Sequence, residues 1–199
     1  MTNPKTNSIL DEGNRLFLQG KFKDAITHYD KIIDEDPQHV SSLNNKGYAL
    51  SKLKDFDGAM KCYDDALKVF PDDLPVLVNK ISLFRKQGNF TEALSICNSI
   101  LINNPRYNVV LYHKERILFS MGNFDESVLC CNLILDDYPE NGDVLFDKSC
   151  SLAMLFKREE ALTLLERAIT HGMKYKAKAK KSKSFEKLLN DPEFQKLIL

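Results

Sequence analysis

Gly88-Asn89-Phe90-Thr91-Glu92-Ala93 decides the fold, because close variants of it recur at a constant step along the chain. Gly20-Lys21-Phe22-Lys23-Asp24-Ala25, Lys54-Asp55-Phe56-Asp57-Gly58-Ala59 and Gly122-Asn123-Phe124-Asp125-Glu126-Ser127 share its form, each 34 residues from the next. A fixed period of this length is the mark of a repeated supersecondary unit. The glycine is suited to end a helix because it takes a left-handed backbone without a Cβ clash. Asn89 and Asn123 are candidate caps for the helix that follows, with Glu92 and Glu126 three residues later as capping-box partners. Pro37, Pro71, Pro105 and Pro139 keep the same step. Lacking an N–H, each proline closes the second helix, and it biases the residue before it away from helical geometry.

Five units follow, 6–39, 40–73, 74–107, 108–141 and 142–175, after a short tail at 1–5. Apolar residues recur at helical steps on both sides of each turn, as with Leu77, Ile81 and Phe84 and then Leu94, Cys97, Ile100 and Leu101, so each unit reads as two amphipathic helices. Small residues at Ala25, Ala59, Ala93, Ser127 and Ala161 let the second helix approach the first. After Met173 the composition turns basic. Phe185, Leu188 and Leu189, then Phe194, Leu197 and Ile198 beyond Asp191-Pro192, predict a capping helix and a short final helix within 176–199.

The period, Gly13 and Gly47 at the eighth place, the small residues, the aromatics Tyr29 and Tyr63 and the late proline resemble tetratricopeptide repeats over roughly residues 6–175. The chain departs from that pattern at Ile81, Glu115 and Ser149 at the eighth place, and at Phe156, Arg158 and Met173 in the fifth unit. The resemblance implies an all-α, right-handed superhelical solenoid of five tandem helix-turn-helix repeats with a C-terminal capping helix. It also implies a concave groove made by the first helices. In-phase places put Asn14, Asn45, Tyr48, Asn79, Tyr112, His113, Arg116 and Phe119 in that groove, with Leu10, Phe17, Asn44, Val78, Ser82, Arg85, Phe146 and Asp147 around them. Asn45 and Asn79 occupy one place in successive units, as in family members that hold an extended peptide by its backbone. An amide suits this role because it carries both a donor and an acceptor.

The 199 residues are 43% apolar and 28% charged, the balance of a soluble globular protein. The 28 basic and 28 acidic residues cancel, although residues 174–199 carry 8 Lys against 3 acids. No overall field favours nucleic acid or membrane, and no run has the ~20 apolar residues of a membrane span. The polar Met1–Ser8 start and five cysteines without a Cys-x-x-Cys pair point to a cytoplasmic chain with buried thiols rather than a disulfide or zinc framework. Phosphate-binding loops, metalloprotease helices and nucleophile elbows are all missing from the sequence, and the four histidines are isolated. The expectation is a non-enzymatic scaffold with no catalytic residue, cofactor or metal, binding an extended peptide or helix of a partner protein. Homotypic assembly, and contact of anionic partners through Lys174–Lys183, are the alternatives; nucleic acid is disfavoured. A clamp for a chaperone's C-terminal carboxylate is disfavoured too, because Leu10 and Pro75 stand where its lysines belong.

Ala93→Phe should overpack the helix pair at a cost of roughly 1–3 kcal/mol and lower the melting temperature; an unchanged melt would mean that the repeats are out of phase.

Overall fold

The computed structural model describes residues 4–199, whose regular elements are all helical, with no strand among them. Five helix pairs follow in order: α1 (Pro4–Leu18) with α2 (Phe22–Glu35), α3 (Val40–Lys52) with α4 (Phe56–Val69), α5 (Leu74–Gln87) with α6 (Phe90–Asn103), α7 (Asn108–Ser120) with α8 (Phe124–Asp137), and α9 (Gly142–Met154) with α10 (Arg158–Thr170). Pro4 and Lys5, expected in a tail, already belong to α1, where proline is tolerated because first-turn N–H groups have no helical partner. The rest of that tail, residues 1–3, lies outside the described residues.

The turn inside each pair is a single motif used five times. Gly20, Gly88 and Gly122 have φ of 77°, 80° and 83°, and at the same place Lys54 and Phe156 are left-handed too, at 66° and 60°. The next residue's N–H reaches back to the last turn of the first helix: Lys21 to Leu16, Asp55 to Leu50, Asn89 to Phe84, Asn123 to Leu118 and Lys157 to Leu152, all at 2.9–3.0 Å. These bonds satisfy carbonyls that the helix end would otherwise leave open. Side-chain capping differs from expectation. Asp55 accepts from the Gly58 N–H at 3.0 Å, but Asn123 makes no cap bond. First helices are capped two residues after the prolines, by His39, Asp73 and Asn141.

The chain forms two compact units, one up to Ile96 and another from Cys97. In the first, α1 packs on α2, α2 on α3, α3 on α4 and α4 on α5. Ala25, Ala59 and Ala93 are fully buried. Gly13 and Gly47 are required by close approach, since a Cβ there would lie 2.7 Å from a ring carbon of Tyr29 and 2.6 Å from one of Tyr63. Lys46 pairs with Asp30 at 2.5 Å and Lys80 with Asp64 at 2.6 Å, so one ion pair links each first helix to the preceding second helix.

In the second unit the eighth-place residue Glu115 is 2% exposed and accepts from the Ser127 hydroxyl at 3.0 Å; Ser127 also bonds Ser151 at 2.9 Å. All five cysteines are buried free thiols, and burial pushes each of them up, Cys62 to about 11 and Cys97 to about 12. Such thiols stay protonated at neutral pH. Burial also raises the Asp147 carboxyl, and the Arg116 guanidinium, with its Nε 3.9 Å away, only partly opposes this.

At the C-terminal end the basic capping helix is shorter than expected and the short final helix is present. The α-helix is the lysine stretch itself, α11 (Lys174–Lys181), beginning within the expected fifth unit. Phe185 and Leu188 lie on a 3-10 segment, Lys183–Leu188, followed by α12 (Pro192–Ile198). The break falls at Ser182, which is extended and whose Oγ accepts from the Ser184 N–H, a local bond that competes with helix continuation. Phe185 stacks on Phe194 at 5.3 Å and both are fully buried with Phe146 and Tyr175. Arg158 bonds Asp191 through two nitrogens and holds that carboxyl down to about 2. Lys174 and Lys178, one turn apart, both reach Asp143 at 3.2–3.3 Å.

Two outcomes follow from this packing. Lys54→Gly removes a left-handed strain of roughly 1–2 kcal/mol and adds about 0.5–1 kcal/mol of chain entropy, so thermal melts should show a small gain, at most about 1 kcal/mol. A fall in melting temperature would show that residue 54 is not held left-handed. For Asp147 the folded carboxyl titrates above its unfolded counterpart, so the fold is favoured at low pH and that benefit is lost as pH rises through the folded value. Asp147→Asn should therefore raise the melting temperature at pH 7, with the difference shrinking below about pH 4, where the unfolded carboxyl protonates; a variant less stable at pH 7 would show that the Arg116 attraction outweighs burial.

Candidate functional site

Of the residues singled out from sequence on the first-helix faces, Asn14, Asn45, Tyr48, Asn79, Tyr112, His113 and Phe119 are half-buried and Arg116 is exposed. In the first unit, α1 and α3 bring Asn14, Asn45 and Tyr48 together around a hollow of about 310 Å³, completed by Phe17, Leu18 and Tyr29. Phe17 and Tyr48 stack with ring centroids 5.1 Å apart, and Phe17 also meets Phe22 edge-on at 5.2 Å. Stacked rings of this kind fix each other's orientation as well as burying area. Leu18 is 85% exposed at the rim.

The asparagines are joined to one another. Asn45 Nδ2 donates to Asn14 Oδ1 at 2.9 Å, and the Tyr29 hydroxyl donates to the same oxygen at 3.0 Å, which uses both of its lone pairs. Burial raises that hydroxyl to about 12, so it remains a donor. One helix further, Asn79 Nδ2 donates to Asn44 Oδ1 at 2.9 Å. Each of Asn45 and Asn79 thus spends one N–H on the neighbouring first helix, and the bond orients its amide. Their own carbonyl oxygens accept no bond among the described residues.

In the second unit Tyr112, His113 and Phe119 are half-buried on α7 and Arg116 is exposed. The Arg116 guanidinium lies over the Tyr112 ring at 5.1 Å. Phe119 meets Phe124 edge-on at 5.3 Å and packs against the cluster that holds Phe185, so most of its ring belongs to the core. Phe146, placed in the groove by phase, is 7% exposed and lies between Tyr175 and Phe185. The terminal segment covers it, because an aromatic ring at the end of the helix stack loses more water-accessible area under a cap than it keeps in a groove.

Leu18, Tyr29, Lys52 and Lys86 belong to these faces and were not among the residues expected from sequence. Tyr29 enters the sequence reading only as a repeat aromatic, and its hydroxyl reaches the hollow because Gly13 leaves room for the ring against α1. Lys52 and Lys86 are 34 residues apart at one place of the repeat, a signal that the sequence carried. Among the described residues no helix is long and apolar enough to cross a membrane, and no group of three or more His, Cys, Asp or Glu side chains gathers as a metal site.

Residues 40–73 match the tetratricopeptide repeat family. Solved structures share the fold over most of the chain. A tetratricopeptide repeat protein from Parabacteroides merdae ATCC 43184 superposes with a TM-score of 0.74 at 17% identity, covering 95% of this chain and 80% of its own. MamA from Desulfovibrio magneticus RS-1 gives 0.71 at 16% identity, covering 92% of this chain and 100% of its own. YrrB, described as a TPR protein with an unusual peptide-binding site, gives 0.65 at 18% identity, covering 81% and 84%. The chain thus has the tetratricopeptide-repeat fold, and its second helix pair, residues 40–73, is a tetratricopeptide repeat in sequence as well.

Proposed function

We propose that the chain is a non-catalytic protein-interaction scaffold that holds an extended segment of a partner protein on the faces of its first helices. The observation that carries this reading is the pair of oriented amides, Asn45 and Asn79, each fixed by a bond to the preceding first helix while its carbonyl oxygen is left to accept. A peptide backbone presents N–H and C=O groups along its length, and an amide held in one orientation meets them without a further entropic cost. The Phe17/Tyr48 hollow receives an apolar side chain beside that backbone. On the second unit Tyr112, His113 and Arg116 offer a comparable mixed face, with Phe119 at its edge. The fold is that of proteins of which one, YrrB, is described as having a peptide-binding site.

Replacing Asn45 and Asn79 together by Ala removes two such bonds at about 0.5–1.5 kcal/mol each, so peptide retention on an array of random-sequence peptides should fall about tenfold. Helix content should be unchanged and the melting temperature only slightly lower. Equal retention by the double variant would remove the backbone-holding role.

A further inference from the structure

The first unit gathers positive charge at one end of its first-helix face. Lys52 lies one turn beyond Tyr48 on α3, and its ammonium sits 5.0 Å from the centroid of the Tyr48 ring, which itself lines the hollow. From α5, Lys86 reaches across to α3 and donates to Ser51 Oγ at 2.9 Å. Arg85, beside it in sequence, is half-buried. Burial lowers the Lys86 ammonium, and the two charges that act on it, Lys52 and Arg85, are both positive and lower it further. Cations in a last helical turn complement the helix dipole, but the last turns of α7 and α9 carry none, so the repeat does not require them there.

We infer that Lys52 and Lys86 form an acceptor for carboxylates, and that the partner segment is an acidic peptide carrying a large apolar side chain next to its Asp or Glu residues. This rests on the peptide-holding reading above and adds its chemistry. The apolar side chain enters the Phe17/Tyr48 hollow, and the neighbouring carboxylate meets Lys52 beside Tyr48 and Lys86 beyond it. An incoming negative charge relieves the repulsion between the two neighbouring ammonium groups, which favours its binding. A peptide fits better than nucleic acid, because the cations adjoin an amide-lined apolar hollow and do not continue as a line that tracks a phosphate backbone.

The test uses an array of random-sequence peptides of about a dozen residues, read with the full chain and with the Lys52→Ala/Lys86→Ala variant, and polyuridylate as a separate probe. Retained peptides should be enriched in Asp or Glu adjacent to Phe, Leu, Tyr or Trp. The variant should lose the acidic preference, with about tenfold less retention of those peptides, while keeping the apolar preference and its helix content. Raising salt should weaken the acidic set selectively. Retained peptides without acidic enrichment, an acidic preference that survives in the variant, or polyuridylate held as strongly as the peptides would overturn the inference and leave the scaffold reading intact. Retention of no peptide at all would overturn both.

Discussion

One backbone constraint sets the rest of the structure: at five places 34 residues apart the chain must turn through a left-handed residue so that the second helix folds back on the first. Glycine supplies that conformation at 20, 88 and 122. Lys54 and Phe156 adopt it as well, against the steric preference of an L-residue, so the turn is kept even where no glycine supplies it. Phe156 is 69% exposed with the Lys187 ammonium 4.1 Å from its ring centroid, a surface contact that comes with the position.

Given the turn, the distance between paired helices is fixed by what lies between them, and the units solve this differently. In the first two pairs a glycine on the first helix faces a tyrosine on the second, and the ring lies where a Cβ would be. At the same two places the fourth pair has Glu115 and Cys131, and the fifth has Ser149 and Leu165, all buried. Bulk moves from one helix to the other while the pair is kept, as expected when total volume is constrained more tightly than its source. The glutamate brings a polar cost that Ser127, at the alanine place, offsets with its hydroxyl.

The same packing bears on function. Because Gly13 admits the Tyr29 ring, the Tyr29 hydroxyl and Asn45 converge on one oxygen of Asn14, and the first-helix faces are tied to each other through side chains. A face braced this way has its polar groups oriented before any ligand arrives. At the C-terminal end, Phe146 occupies a comparable place in phase but is sealed by Phe185 and Tyr175, so equivalent positions in the repeat do not have equivalent exposure.

The helix pairs, the turn places and the buried small residues were legible in the sequence because each rests on signals within a single unit, a turn residue, a proline or an apolar face at helical spacing, and the period because those signals recur. Composition and phase also picked out Asn14, Asn45 and Tyr48, which the fold brings to one hollow. What the sequence did not decide were the contacts between successive units. Asn45 meets Asn14 across 31 residues and Asn79 meets Asn44 across 35, and Lys86 finds Ser51 across 35. Those pairings depend on how one helix is rotated against the next and on which rotamer the packing permits, which no local pattern records. For the same reason the helix break at Ser182 and the sealing of Phe146 emerged only with the tertiary structure, where burial of Phe185 and Phe194 outweighs continuing α11.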